Sequence, residues 1–437
     1  MRPVSPTNST DDLLSPRRRS LFIPPGFSNA LQTHTDERTG VTFQAGYDSF
    51  SSYQPPKVLK YDAQRLLSSL GPWAALRTQT RFATAIYGTG LWRKMSVFMA
   101  TAVTFCCLGP VLESDLEEAV AALNLLITGG LFFLLGPYVG TAVSRWWQIR
   151  KDCIGGLWGS VDDLSCWAAA WFSSKSAADR EARALVLRLG LLSHALLYKQ
   201  ARGEADALDD LVAAGLLRTE EVAALEPLAS KPQVVWAWMT HFWTKALGGA
   251  LGVTAPPHAA QLMPVVMAKC MAGRGAIGAA LSYVDTQQPF PYVHLLSLIT
   301  DVALAVNAMA VGMHTGRQLA STAHCPAGAP AQPEAAACHA ALFTESTLNL
   351  VLLVGLAGMR VAAFTLIYNG LLSIGVALDN PLGDDPADLP GLAYQVYMKA
   401  ECEAFAAGVD AVSLTDGWWA GVEESADEKA RRRALGK

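Results

Sequence analysis

Long uncharged or nearly uncharged runs alternate along the chain with stretches of helical periodicity. Residues 95–112 and 119–144 carry no charge; residues 289–316 are apolar apart from Asp301 and two histidines, and residues 348–378 apart from Arg360. A helix crossing the hydrocarbon core needs about 20 mostly apolar residues, so with their flanks the pattern predicts four spans, at about 93–112, 119–144, 289–316 and 348–378. Arg93 and Lys94 precede the first span, Arg145, Arg150 and Lys151 follow the second, and Glu113, Asp115, Glu117 and Glu118 lie between them. The positive-inside rule then places the N-terminus, the 148–288 region and the C-terminus on the cytoplasmic-equivalent side. Asp301 and Arg360 are costly in lipid unless paired or wetted, and are expected to face each other or a protein interior.

The region between the second and third spans reads as helical. Leu185, Leu187, Leu189, Leu192 and Leu196 give residues 182–200 a helical stripe; residues 208–225 read as two short helices around Gly215. The Trp-rich run 234–247 is too short to span and is expected to be buried in a helical cytosolic body. Residues 1–60, rich in Ser, Thr, Pro and charge, read as a mobile tail with no alternating strand pattern, and residues 412–437 as a second tail. The first is not a secretory signal, since no apolar core follows its basic residues. Arg17-Arg18-Arg19-Ser20 reads as a solvated basic cluster or a phosphorylation site; Asn8-Ser9-Thr10 fits the glycosylation pattern on the wrong side of the membrane. The fold class is all-α, a membrane protein with one large domain over residues 61–411.

Composition supports this. Charged residues are 16% and hydrophobic residues 51%, well below and slightly above the soluble norm, so lipid contact is expected for part of the chain. A net charge of -4 gives no nucleic-acid footprint. The eight cysteines include no CxxC pair, which removes the usual zinc and redox motifs. Cys106 and Cys107 read as packing residues. Cys325 and Cys338 are free thiols, or a disulfide if their loop faces an oxidising space. Gly273-Arg274-Gly275-Ala276-Ile277-Gly278 spells the dinucleotide fingerprint, but it lies in helical sequence with no preceding strand. HExxH, GxSxG and Walker A motifs are absent, and no enzyme reading is supported.

Several words recur in a telling order: Tyr138-Val139 with Arg145-Trp146-Trp147; residues 211–217 with Val235-Trp236-Ala237-Trp238; Pro291-Tyr292-Val293; Gly316-Arg317-Gln318; and Asn380-Pro381-Leu382-Gly383-Asp384-Asp385. Together they resemble the bestrophin family of anion channels over about residues 73–411, with the last word closest to the family's Asn-Pro-Phe-Gly-acidic signature.

That resemblance implies a homopentamer in membrane lipid with one central pore, passing inorganic anions such as chloride and bicarbonate. The second span would line a neck with three bulky apolar side chains at i, i+4 and i+8. Aligned on Arg145-Trp146-Trp147 these are Gly129, Phe133 and Pro137, so only Phe133 keeps the bulk and a wider neck is expected. The edges of its ring carry partial positive charge that favours weakly hydrated anions, and a hydrophobic ring can gate by dewetting. Phe132 is read as lipid or core packing; Gly129 and Gly136 would otherwise simply permit close helix packing. Gln288 falls at the family's cytosolic constriction, or is only a residue ahead of a helix start at Pro289.

The acidic turn 379–388 has two readings. The resemblance implies a calcium clasp, with carboxylates from Asp385 and Asp388, carbonyls from Asn380 and Ala377, and a further oxygen from Ala74, in keeping with calcium's preference for 6–8 hard oxygens. Alternatively Asp388 caps a helix beginning near Leu389-Pro390. The rival functions are a secondary anion transporter, which would need inverted repeats and a broken helix, and a non-conducting membrane scaffold. The protein is expected to be multi-pass in the plasma membrane or, the Ala-rich composition fitting an algal or other non-animal source, a thylakoid.

Overall fold

The computed structural model describes the backbone of residues 33–36, 41–44, 58–61, 91–172, 176–254, 256, 258–323, 334–383, 388–412 and 431. In chain order the elements are β1 (Thr33–Asp36), β2 (Val41–Gln44), β3 (Val58–Tyr61), α1 (Leu91–Leu108), α2 (Ser114–Gln148), a π-helical turn (Ile149–Ile154), α3 (Gly155–Trp171), α4 (Ala177–Ala201), α5 (Asp209–Ala213), α6 (Thr219–Leu225), α7 (Lys231–Leu247), α8 (Ala259–Asp285), α9 (Phe290–Ala323), α10 (Glu334–Ala377) and α11 (Gly391–Val412). The body is helical, as the sequence predicts. The exception is the N-terminal segment, where β1, β2 and β3 form a three-stranded antiparallel meander with Thr33 opposite Gln44 and Val41 opposite Tyr61. The expectation of no strands in this segment is corrected here: four-residue runs such as Val41-Thr42-Phe43-Gln44 do alternate, but are too short to stand out among Ser, Thr and Pro.

The helices divide into two units. One takes residues 63–147 and 285–379, and so holds α1, α2, α9 and α10; the other holds the π-turn, α3 to α8 and α11. The first unit has a core of Leu131, Leu135, Leu296 and Ala308, closed by Tyr138 and Val361. Lipid offers no hydrophobic drive for helices to associate, so close packing must hold them. Gly312 and Gly316, one turn apart on α9, supply it. A Cβ on Gly312 would strike the Ala102 carbonyl of α1 and one on Gly316 the Cys106 carbonyl. On the other side of the seam, a Cβ on Gly109 would lie 2.7 Å from the Met313 carbonyl. The α1 threonines turn inward on their own backbone, Thr101 donating to the Val97 carbonyl (3.0 Å) and Thr104 to the Ala100 carbonyl (3.0 Å).

Charges in this unit are paired locally. Asp301 binds Lys94 at 2.7 Å, not Arg360, whose guanidinium lies 6.0 Å from the Phe364 ring on its own helix. Glu117 of α2 accepts from Arg317 (2.7 Å) and contacts the His314 ring (3.0 Å), both on α9. Among the described residues, five helices are long and apolar enough to cross a membrane: α1, α2 with its continuation, α8, α9 and α10. The additional one, α8, belongs to the second unit, where Val266, Cys270 and Ile277 are fully buried. It carries Gly273 of the apparent dinucleotide word. That glycine exists because the Trp236 ring presses on it, where a Cβ would collide.

The second unit packs around aromatic side chains. Trp236, Trp243, Phe172 and Tyr198 are almost wholly buried, and Phe172 stacks on Trp243 at 5.5 Å. Residues 208–225 form two short helices, α5 and α6, with Gly215 between them at φ 71°, a left-handed turn that costs glycine little. Ser176 caps α4 by accepting the Asp179 N–H at 3.1 Å. Arg188 forks onto Glu221 at 2.6 and 2.7 Å; burial alone would raise that carboxyl's pKa, but the guanidinium holds it below the usual range. His194 of α4 is fully buried, 5.0 Å from the Tyr198 ring, with neither ring nitrogen hydrogen-bonded among the described residues. Burial pushes its pKa down to about 3.

Two predictions follow from this packing. Gly316→Val drives a side chain into the α1 backbone and should cost at least 1–3 kcal/mol, the usual range for overpacking, read as a lower unfolding midpoint in detergent; Gly355→Val, on the open face of α10, should change it little. His194 stays neutral in the folded chain while the unfolded chain protonates it below about 6.5. Its contribution is therefore intact above pH 6.5 and lost as pH falls towards 3, at about 1.4 kcal/mol per pH unit. His194→Leu should remove that component, so the difference in unfolding midpoint between variant and wild type should widen steadily from pH 7 to pH 4.

Candidate functional site

The second span, α2, is two-faced. Asn124, Leu131, Leu135, Tyr138, Ala142 and Arg145 are buried in the first unit along one helical stripe. Gly129, Phe133 and Pro137 recur at four-residue spacing on an exposed face, with Phe133 76% and Phe132 71% exposed. A Cβ on Gly129 would meet nothing within 4 Å, so no close helix packing explains that glycine inside one protomer. Pro137 lies inside the helix and has no N–H for the Phe133 carbonyl one turn back. At the same turn the Tyr292 hydroxyl donates to the Leu134 carbonyl at 3.0 Å, tying α9 to the weakened stretch.

The end of α2, the start of α9 and the end of α10 border a half-open, mostly apolar cavity of about 230 Å³, with Arg145, Gln287, Gln288 and Asp379 as its polar residues. Arg145 donates to Asp379 at 3.2 Å, and Gln287 donates to the other oxygen of the same carboxylate at 2.8 Å. The arginine side chain is 10% exposed and the aspartate 34%. The Gln288 side-chain oxygen, Oε1, is buried without a hydrogen-bond partner among the described residues. Gly375 of α10 gives the Tyr138 ring its place, because a Cβ there would overlap it.

In the second unit the described residues that follow Asp379 are tied by amide hydrogen bonds. Asn380 accepts the Leu382 N–H on its side chain (3.2 Å) and donates to the Ala201 carbonyl at the end of α4 (3.2 Å). The Asn380 carbonyl accepts the Gly383 N–H at 3.2 Å, and the Pro381 carbonyl accepts the Leu389 N–H at 2.7 Å. Leu382 is wholly buried and Asp388 is 6% exposed. Arg202, just beyond α4, donates from Nε to the Leu382 carbonyl (3.0 Å) and from Nη2 to the Gly383 carbonyl (2.7 Å).

A family model described as Bestrophin, RFP-TM, chloride channel matches residues 73–391. The chain belongs to the bestrophin family. That family is one of integral membrane channels, not of enzymes. Bestrophin homolog 22 of Caenorhabditis elegans is 25% identical over 263 residues, 59% of this chain and 45% of that protein, so the chain covers less than half the length of this relative. Crystal structures of a bacterial bestrophin homolog from Klebsiella pneumoniae share the fold: one aligns with 14% identity over 72% of this chain and 99% of that one at TM-score 0.52, another with 13% identity over 74% and 100% at TM-score 0.53.

Within this bestrophin the sequence-based candidates are distributed as follows. Gly129, Phe133 and Pro137 share the bare face of α2, and Gln288 lines the cavity beside Arg145. Ala377 ends α10 in the first unit, whereas Asn380 and Asp388 belong to the second. Asp385 and Ala74 lie outside the described residues, as does the pairing of Cys325 with Cys338. The first intrahelical acceptor of α11 is the Pro390 carbonyl, which receives the Tyr394 N–H at 3.0 Å, so Asp388 stands two residues ahead of the cap position.

Of the oxygens the resemblance implies for calcium, the Asn380 carbonyl accepts the Gly383 N–H and keeps a second lone pair, and the Asp388 carboxylate is nearly buried; hard oxygens of this kind suit calcium, and Arg202 lies on the Leu382 and Gly383 carbonyls, outside that set. Two functional groups escaped the sequence reading, Asp379 as partner of Arg145 and Arg202. The Arg145–Asp379 pair joins residues 234 positions apart, so no local spacing announces it.

Arg145→Gln would leave the Asp379 carboxylate without its cation. A broken buried pair costs about 3–5 kcal/mol, and the lower end is expected here because Asp379 keeps some solvent. Denaturation of the purified variant should show this loss, and Asp379→Asn, which keeps a hydrogen-bonding group, should show less.

Proposed function

We propose that this protein is a chloride-conducting anion channel whose pore forms between copies of the chain, five around one axis, with the bare face of α2 lining the neck. The observation that carries this is the pairing of a filled protomer core with an unused α2 face. Leu131 and Leu135 are almost completely buried, so the four helices of one protomer leave no lumen, while Gly129, Phe133 and Pro137 face outward. A row of glycine, aromatic and proline on a bare face suits a narrow water-bearing conduit: Phe133 supplies ring edges to a passing anion and an apolar surface that can dewet. Gly129 and Pro137, being small, leave the neck wider than three bulky rings would, which supports passage of bicarbonate or nitrate as well as chloride. Arg145, at the cytoplasmic-equivalent end of the same helix, adds positive potential at that mouth, reduced by its pairing with Asp379.

The transporter reading is less well supported. Alternating access of the inverted-repeat type uses helices interrupted at mid-membrane, whereas α9 and α10 run as single helices over 34 and 44 residues.

Reconstitution in planar bilayers with ion substitution tests the channel reading. Phe133→Ala should leave the channel open under conditions that close the wild type and flatten its preference among anions. Phe132→Ala, about 100° around the helix, should leave selectivity unchanged. Absence of current from the wild type in any anion would favour the scaffold, and a stable monomer or dimer by native mass would reject a pore between copies.

A further inference from the structure

Arg360 is the only charged residue from 348 to 377, the apolar stretch of α10, and it is exposed. Its guanidinium leans along its own helix to the Phe364 ring, 6.0 Å away, and pairs with no carboxylate among the described residues. Leu356, Met359 and Ile367 beside it are exposed as well. A guanidinium keeps its charge, and on an apolar span it is costly unless protein or water covers it. A second site in the same unit is half complete. Asp301 of α9 gives one oxygen, Oδ1, to Lys94 of α1 at 2.7 Å, while its side chain stays 46% exposed and its other oxygen binds no described residue.

The two sites lie at one depth. α1 and α9 run in the same direction, since Gly312 and Gly316 meet Ala102 and Cys106. α10 runs the other way: its Gly375 makes room for the Tyr138 ring, which lies 6.4 Å from Tyr292 at the start of α9. α1 and α10 touch where Gly358 faces Met99, a Cβ on that glycine falling 3.9 Å from the methionine side chain. From this contact towards the start of α1, at about 1.5 Å per residue, Lys94 lies about 7.5 Å along α1. Phe364, towards which the Arg360 guanidinium points, lies about 9 Å along α10 in the same direction.

They lie on opposite flanks. A helix turns about 100° per residue, so Arg360, two positions past Gly358, points about 200° from the α1 contact and away from α1. Lys94, five positions before Met99, points about 140° from the α10 contact and away from α10. The unpaired cation therefore leaves one side of the α1–α10 pair and the half-open carboxylate site leaves the other. One copy cannot join them. Adjacent copies in a ring can, because a ring contact sets one flank of each copy against the opposite flank of the next.

We propose that Arg360 of each copy completes the Lys94–Asp301 site of its neighbour by taking the open carboxylate oxygen. The inference rests on the reading of a pore between copies and names a contact that holds those copies together. The planar guanidinium suits a carboxylate whose other oxygen is already held, and the surrounding hydrocarbon strengthens the bond. The same contact fixes the rotation of one copy against the next, since a guanidinium set against apolar side chains would stay uncompensated.

The test is cross-linking in membranes with dicyclohexylcarbodiimide, which joins an amine to an adjacent carboxylate as an amide while the carbodiimide takes up the water and becomes a urea. Lys94→Gln/Arg360→Lys removes the amine that competes within one copy and places one on α10. It should give covalent dimers and higher multimers on a denaturing gel. Lys94→Gln alone should not, nor should the double variant once Asp301→Asn is added. In native mass measurements Arg360→Gln should fall apart to monomers at a roughly tenfold higher concentration than the wild type, the least expected for a close charge pair across an interface. Absence of cross-links, or cross-links that persist with Asp301→Asn, overturns the proposal. So does an Arg360→Gln oligomer as stable as the wild type, including one that has lost only its stabilisation by anionic lipid, since the arginine then faces headgroups. If Arg360→Gln does not fold, the cross-linking decides alone. A monomeric wild type defeats the reading of a pore between copies, whereas an oligomeric wild type without the Asp301-dependent cross-link defeats this inference and leaves that reading standing.

Discussion

The first unit depends on a backbone-to-backbone contact between α1 and α9. In lipid, apolar side chains gain nothing from leaving one hydrocarbon for another, so helices stay together through close van der Waals contact and internal polar bonds. Gly312 and Gly316 let α9 approach the Ala102 and Cys106 carbonyls, closer than any side chain would permit. The large residues of the core then pack where this approach places them: Leu296 and Leu304 of α9 beside Leu131 and Leu135 of α2. With that interior filled, the remaining face of α2 is left outward, and a pore, if the protein forms one, has to come from neighbouring copies.

Polar groups follow the same economy of distance. Lys94 meets Asp301, Arg317 meets Glu117 and Arg145 meets Asp379, each pair linking two different segments of the first unit. A charge within or beside the hydrocarbon layer is expensive alone and tolerable when paired, so these contacts fix helix register as well as neutralise charge. Arg360 is different: it is exposed on α10 and its recorded neighbour is the ring of Phe364.

Charge is handled by local chemistry in the second unit too. Glu221 is ionised readily because Arg188 forks onto it, and the Leu382 and Gly383 carbonyls are held by Arg202, the arginine that ends α4. His194 shows the opposite solution, a titratable group kept neutral by burial among aromatic and aliphatic neighbours.

The sequence by itself determined the long apolar helices α1, α2, α9 and α10, the helical character of the body and the family, but not α8, which is also long and apolar enough to cross a membrane. Each is written in short-range pattern: uncharged runs of membrane length, the leucine stripe of α4, Gly215 between two short helices, and words such as Arg145-Trp146-Trp147. It also put Gly129, Phe133 and Pro137 on one helical face, because four-residue spacing alone does that. Only the tertiary structure decided what the glycines are for. Gly273 serves the Trp236 ring and not a nucleotide, Gly316 serves the Cys106 carbonyl, and Gly129 touches nothing. Likewise it gave Asp301 to Lys94 and Asp379 to Arg145, and set Arg202 on the Leu382 carbonyl from 180 positions away. Contacts between residues so far apart depend on how whole helices pack, and no periodicity along the chain encodes that distance.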